Sequence, residues 1–313
     1  MMYNSIEMKN NKLRTYFYAL RINQWLKNFV IFTAIIFSGQ LFNLDLFTKS
    51  FYAFIIFCLL SSTSYVLNDI IDYPYDTKHP IKKFRPIASG DLSMPEATFI
   101  VFVLSLVSLI LALFFSLPFF FLSLFFILLH FFYSFTLKKQ PVIDIFTISF
   151  SFMIRTFAGE IATGYHIPIW LLLTIFFGSL FMASVKRHAE LVAHGIKARL
   201  SLYRYNEHFL DFLTYTFGTA TIIAYSTYAY VERPPQAETI VSKFFNQTFP
   251  GFEARKWLMI TIPLIVYGIA RYAQLLYEKA EGERPERTIT TDIPLIVTIG
   301  LWGVIVVSLI YLL

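Results

Sequence analysis

Long apolar runs alternate with short polar breaks along this chain, and they set the first expectation. Nine runs approach or exceed a membrane-helix length, over 24–43, 50–70, 94–115, 117–136, 142–163, 168–187, 210–231, 257–277 and 292–313. A bilayer core asks for about 20 apolar residues per helix. Proline or charge bounds several runs, at Pro118, Pro141, Pro168 and Asp292, as expected of helix ends. No gap between runs would hold a soluble domain, and no internal repeat is visible. The pattern predicts an all-α polytopic membrane protein, a single transmembrane domain over 1–313. Its longer polar connections are 71–93, 188–209 and 232–256, the last with an irregular "RPPQAE". Ahead of the first run, "KLRTYFYALR" (12–21) puts Leu13, Phe17 and Leu20 on one helical face and Lys12, Arg14 and Arg21 elsewhere. The segment 1–23 therefore reads as a basic stretch lying on the membrane surface.

Composition agrees. The 313 residues are 57% hydrophobic and only 15% charged, against about 25% charged in soluble domains. Cys58 is the single cysteine and lies within an apolar run, so it is a packing residue and forms no intrachain disulfide. The first 21 residues lack the apolar core and cleavage site of a signal peptide, which leaves targeting to the first span. With the N-terminus in the cytoplasm, 20 of the 26 Lys and Arg residues fall on the cytoplasmic side. Five fall outside, and Arg155 lies within a span. Such a bias fixes orientation and favours an odd number of spans. The net charge of +6 is then explained by the membrane and its anionic lipids, and gives no reason to invoke nucleic acid.

The end of the second run carries the chemistry: "LNDIIDYPYDTKHPIKKFRPIASG", Leu67 to Gly90. Asp69 and Asp72 are three apart and Asn68 and Asp72 four apart, so on a helix they share a face. Asp76 is four further on, but Pro74 is expected to disturb its alignment. Two carboxylates about 5 Å apart repel by roughly 3 kcal/mol at an effective dielectric of 20, so a membrane-edge site holding both needs a cation. Oxygen donors without His or Cys suit Mg²⁺, which takes one or two carboxylates and completes its shell with water and phosphate. Asn68, Asp69 and Asp72 are the candidate ligands. The plainer reading is a solvated helix end neutralised by Lys78, Lys82, Lys83 and Arg85, although it leaves unexplained why the acids and bases form separate blocks.

The motif "NDIIDYPYD" followed by "RPIASG" resembles the UbiA-type intramembrane prenyltransferase superfamily. The segments "NQWLKN" (23–28), "HPIKKFRP" (79–86), "YSFTLKK" (133–139), "IRTFAG" (154–159), "GSLFMASVKRHAEL" (178–191) and "RYA" (271–273) look like one branch, the decaprenyl-phosphate phosphoribosyltransferases. That resemblance implies about nine transmembrane helices around a cytoplasm-facing cavity in a bacterial inner membrane, with oligomeric state left open. It implies Mg²⁺-dependent transfer of 5-phosphoribosyl from phosphoribosyl diphosphate to a polyprenyl phosphate, releasing pyrophosphate, for cell-wall arabinan (arabinogalactan) precursors. Asp69, Asp72 and Asp76 would be catalytic. Lys27, Asn28, Asn68, Lys78, Lys82, Lys83, Arg85, Tyr133, Lys138, Arg155, Lys186, Arg187 and Glu190 would bind substrate.

Ordinary members of the superfamily carry a second aspartate-rich motif where this chain has "VKRHAEL". Two cations and one acid there form a poor Mg²⁺ site and a good phosphate site, which argues against the alternative, a prenyl diphosphate donor and a small acceptor. Read without the resemblance, several of these residues stay open. His79 is a structural residue or a phosphate contact. His130, Tyr133, Ser134 and Lys138 recur at helical spacing and either anchor the interface or line a substrate face. Arg155 is an intramembrane charge, functional by default, or half of a buried pair with Glu160 or Asp144. Gly159 and Gly164 are packing residues. A transporter, the third reading, fits poorly, because the charge clusters lie at span ends on one side rather than near the midplane.

Overall fold

Apolar runs fold into helices because lipid offers their backbone polar groups no partner. The computed structural model describes residues 12–79, 81–194, 205–232, 239–248, 254–279 and 291–312, and no strand occurs among them. The "RPPQAE" segment, Lys197 and all of 1–11 and 280–290 lie outside the described residues, as does the middle of 188–209. The α-helices are α1 (Lys12–Ala19), α2 (Thr33–Phe37), α3 (Leu44–Asp76), α4 (Met94–Phe115) and α5 (Leu117–Phe135). They continue with α6 (Ile143–Thr163), α7 (Ile169–His194), α8 (Glu207–Val231), α9 (Ile240–Thr248), α10 (Ile262–Lys279) and α11 (Ile293–Tyr311). Among the described residues, seven are long and apolar enough to cross a membrane, counting the 3₁₀ turns that lead into α10: α3 to α7, α10 and α11. The expected span 210–231 is the 25-residue α8, whose Thr214, Tyr215, Thr216, Thr219, Thr221 and the "YSTYAY" run after them make it less apolar. The chain is a multi-pass membrane protein.

Helix starts follow the punctuation in the sequence. Ser93 caps α4 in a reciprocal box, its hydroxyl accepting from the Glu96 N–H while the Glu96 carboxylate accepts from the Ser93 N–H at 3.0 Å. Ser116 caps α5 through the Phe119 N–H with Pro118 in the first turn, so one residue separates α4 from α5. Asp292 caps α11 through the Leu295 N–H and also pairs with Arg271 at 2.8 Å. Gly164 ends α6 at φ 74°, a left-handed conformation that favours glycine.

The first apolar run departs from expectation. It opens as an 11-residue 3₁₀ helix, Ile22–Phe32, and only then becomes α2. The side chains show why. Within it Asn28 and Ile31 are buried while Asn23, Leu26 and Phe29 are exposed. Both sets repeat every three residues, the period at which 3₁₀ side chains eclipse.

The chain forms two compact units, Met1–Ile31 with Phe51–Lys138 and Phe32–Ser50 with Lys139–Leu313. In the first, Ala19, Val66, Ile87, Leu92 and Ala97 form a buried cluster. It ties α1 and the loop after α3 to the end of α3 itself. In the second, α7 packs against α8 and α6 around Ile145, Leu180, Leu210 and Leu213.

Candidate functional site

The first unit gathers the acidic motif. Helix α3 runs without interruption to Asp76, with Pro74 inside its last turn. A missing N–H there removes one helical bond and does not deflect the chain, so the expected disturbance of Asp76 does not occur. Asp69 and Asp76 are seven residues apart, two turns on one face, and Arg85 bridges them at 3.0 and 2.7 Å. Arg21 reaches the same Asp69 oxygen at 2.5 Å. Asn68 and Asp72 form the neighbouring row, bonded to each other at 2.8 Å. Lys138, almost buried, reaches across to both, at 3.0 Å to Asn68 and 2.5 Å to Asp72. The shared face expected for Asn68, Asp69 and Asp72 is thus two adjoining rows, each with its own cations.

The "RPIASG" sequel has a mechanical role. Ile87 and Leu92 are buried in the core beside α3. Ser89 N–H donates to the Arg85 carbonyl at 2.8 Å and Leu92 N–H to the Pro86 carbonyl at 2.9 Å. Gly90 closes the turn at φ 82°. Together these hold Arg85 towards the carboxylates. His79 Nδ1 accepts from the Ile81 and Lys82 N–H groups at 3.2 and 3.3 Å, which supports its structural reading. Lys82 belongs to a short 3₁₀ turn, Lys83 lies 5.2 Å from the Phe84 ring and Lys78 is exposed.

Asn28 is fully buried, donating to Cys58 Sγ and accepting from Ser61, each at 3.3 Å. This placement corrects the expected substrate contact. The amide joins the 3₁₀ helix to α3 because a buried polar group needs partners there. Lys27 is half-buried, and Tyr133 is half-buried with its ring 6.4 Å from His130.

The second unit treats "VKRHAEL" differently from the sequence expectation. Arg187 is 2% exposed, with Nε donating to Asp144 at 2.8 Å and Nη1 to Glu190 at 2.5 Å. Asp144 is 0% exposed and also accepts from the Tyr205 hydroxyl at 2.7 Å. Burial, reinforced by Asp144, pushes the Tyr205 hydroxyl above its ordinary pKa, so it remains a proton donor. The same hydroxyl accepts from the Val142 N–H at 2.6 Å. Val142 sits at φ 66°, strained for a β-branched residue. Arg187 and Glu190 are therefore partners in a buried network rather than a phosphate grip. Lys186, one position earlier, is half-buried. Arg155 donates to the Ser151 carbonyl and hydroxyl and lies over Phe152. Of the two acids expected to pair with it, Glu160 contacts His166 and Asp144 contacts Arg187.

In the linear sequence Arg21 reads only as a topology cation, Asp144 only as a partner for Arg155, and nothing marks Tyr205. No local pattern could have found these contacts, since 48 residues separate Arg21 from Asp69 and 61 separate Asp144 from Tyr205.

Does the α3 cluster suit a metal? Its donors are hard oxygens, the chemistry Mg²⁺ selects. Among the described residues, however, no group of three or more His, Cys, Asp or Glu side chains forms a ready cage. Asp69, Asp72 and Asp76 are each paired with a cationic side chain. The donor set fits Mg²⁺ as an ion that arrives with phosphate oxygens of its own, and Asn68, Asp69, Asp72 and Asp76 are the residues that would hold it.

The model of the UbiA prenyltransferase family matches residues 28–289. A decaprenyl-phosphate phosphoribosyltransferase of Corynebacterium glutamicum is 32% identical over 303 residues, covering 94% of this chain and 86% of the relative. One of the same description from Mycolicibacterium smegmatis is 32% identical over 275 residues, covering 86% and 84%. Among solved structures, a UbiA homolog from Archaeoglobus fulgidus bound to GPP and Mg²⁺ superposes with a TM-score of 0.67 at 18% identity, covering 95% of this chain and 99% of that one. The chain has the UbiA fold and belongs to the UbiA prenyltransferase family.

Proposed function

We propose that the protein transfers the 5-phosphoribosyl group from phosphoribosyl diphosphate to a polyprenyl phosphate, acting as one UbiA-like domain with its site open to the cytoplasm. The observation that carries this reading is the α3 cluster: oxygen donors for a metal interleaved with Arg21, Arg85 and Lys138, which suit phosphate. The names of the relatives supply the donor and acceptor class. Bound Mg²⁺ would supply charge to stabilise pyrophosphate as it departs. Asp69, Asp72 and Asp76 fix where that charge sits, and Asn68 orients Asp72. Arg85 and Lys138 stand ready for the oxygens of the leaving group, charge-assisted contacts that strengthen as negative charge develops. An acceptor oxygen attacks C1 as the bond from C1 to the diphosphate breaks. A phosphate monoester is mostly dianionic at neutral pH, so no side chain has to remove a proton. Lys27, Lys78, Lys82, Lys83, Tyr133 and Lys186 are the proposed outer contacts to substrate, and arabinan precursors of the cell envelope are the proposed destination.

The purified protein, given labelled phosphoribosyl diphosphate, polyprenyl phosphate and Mg²⁺, should yield a labelled product that extracts into organic solvent. Product formed instead from a prenyl diphosphate and a small aromatic acceptor would overturn this reading. Lys186→Ala should lower kcat/KM about ten- to hundredfold, the size of one charge-assisted contact of roughly 1.5–3 kcal/mol, with unchanged thermal stability. A Lys82→Cys protein in a background lacking Cys58 should react with an impermeant thiol reagent only from the cytoplasmic side. Labelling from outside would refute both the topology and the placement of the site.

A further inference from the structure

We propose that Arg21 is an exchangeable counter-ion. It holds Asp69 while no ligand is bound, and moves to a phosphate oxygen of the diphosphate when metal and diphosphate enter together. The proposal rests on the reading that the α3 acids take Mg²⁺ with a diphosphate.

Three observations support it. Asp69 is 4% exposed, and its Oδ1 receives both Arg21 at 2.5 Å and Arg85 at 3.0 Å. Two guanidinium groups on one oxygen obstruct a metal approaching that atom. The two arginines are held differently. Arg85 bridges two acids from a loop anchored by Ile87. Arg21, as exposed as Arg85 (25% against 22% at the side chain), pairs with one acid and lies 5.2 Å from the Tyr65 ring, a face that can accompany a guanidinium as it swings. The third observation is the backbone beneath Arg21. It sits at φ 50° between α1 and the 3₁₀ helix. Ser62 pins both sides of it, donating to the Leu20 carbonyl at 2.8 Å and accepting from the Trp25 indole at 3.0 Å. The base of the side chain therefore stays beside α3 whichever partner its tip takes.

Charge then dictates the order of events. Asp69, Asp72 and Asp76 already face Arg21, Arg85 and Lys138, three acids against three cations. A divalent ion alone would leave the cluster with two excess positive charges and would have to displace a guanidinium with no new partner. A diphosphate alone would meet carboxylates. Arriving together, the metal takes Asp69 and the phosphate takes Arg21. Each ligand removes the obstacle to the other, so their affinities rise together and by the same factor.

The test uses the full chain in lipid nanodiscs, with Mn²⁺ as the metal probe, pyrophosphate as the anion and free Mn²⁺ read by electron paramagnetic resonance. Solution chelation of Mn²⁺ by pyrophosphate is subtracted using empty nanodiscs. The wild-type protein should bind Mn²⁺ weakly alone and about tenfold or more tightly with saturating pyrophosphate. Arg21→Gln should bind Mn²⁺ alone more tightly than wild type, bind pyrophosphate less tightly, and show weaker coupling. Arg21→Lys keeps the charge but loses the fork, and should shift in the same direction by less, which keeps the test decisive if the glutamine variant does not fold. Mn²⁺ affinity that stays at the wild-type value in these variants without pyrophosphate would overturn the exchange while leaving the metal site standing. A wild-type protein that binds no Mn²⁺ in either condition would overturn the exchange and the Mg²⁺ reading together.

Discussion

Asp69→Asn, Asp72→Asn and Asp76→Asn should each reduce turnover at least about 10²- to 10³-fold, the scale seen when one pre-aimed electrostatic group is lost from a site. Sequence alone would expect a smaller loss at Asp76, on the ground that Pro74 turns it away. The structure removes that ground, because α3 continues to Asp76 and Arg85 bridges it to Asp69. All three variants should still insert and purify, since amide replaces carboxylate at nearly equal volume and keeps an oxygen for hydrogen bonding. Steady-state kinetics on protein of matched Tm is the measurement, alongside wild type in excess chelator. Wild-type turnover under chelation, or in the Asp69 or Asp72 variant, would sink the metal assignment. Near-wild-type turnover in the Asp76 variant alone would instead confine the metal to the other acids and leave Asp76 as a clamp for Arg85.

Arg187→Ala should be far more damaging to the fold than to substrate affinity. The substitution leaves Asp144, at 0% exposure, without its guanidinium partner and deprives Glu190 as well. Breaking a buried pair by deleting one partner costs about 3–5 kcal/mol, a large share of the 5–15 kcal/mol that holds a typical domain. Tyr205 remains bonded to Asp144 but cannot neutralise it. The expected result is a marked fall in apparent Tm and in detergent-stable yield. The double replacement Arg187→Met with Asp144→Leu should regain much of both, because an apolar pair of similar volume avoids the desolvation penalty. An Arg187→Ala protein with wild-type Tm and a raised KM for phosphoribosyl diphosphate would restore the phosphate-grip role. Lys186→Ala provides the contrast, with activity lowered and Tm unchanged.

These outcomes trace which parts of the molecule its sequence declares. Helix starts are legible because their causes are local: Ser93, Pro95 and Glu96 specify the beginning of α4 within four residues. The acids of α3 and the cationic block after them are legible for the same reason. The assignment of cations to acids is not. Arg21 and Lys138 reach the cluster from 48 and 66 residues away, and their neighbours Lys27 and Lys139 look equivalent in a linear string. Burial misled the reading of "VKRHAEL" in a similar way. Adjacent Lys186 and Arg187 look like one basic patch, but successive helical residues point about 100° apart. One therefore meets Asp144 inside while the other is half-buried.

The 3₁₀ opening of the first apolar segment has a consequence for bilayer fit. Ile22 to Phe37 is only 16 residues long, and as a continuous α-helix would reach about 24 Å. Wound as it is, the first 11 residues rise about 2 Å each and the rest about 1.5 Å, which brings the reach to about 30 Å. That equals the hydrocarbon thickness of an ordinary membrane. Such winding would answer a hydrophobic mismatch that segments of this length otherwise meet by thinning the surrounding lipid. An insertion of four apolar residues in this segment would be expected to let it relax to α-helix at the same reach. Asn28 would then rotate away from Cys58 and Ser61.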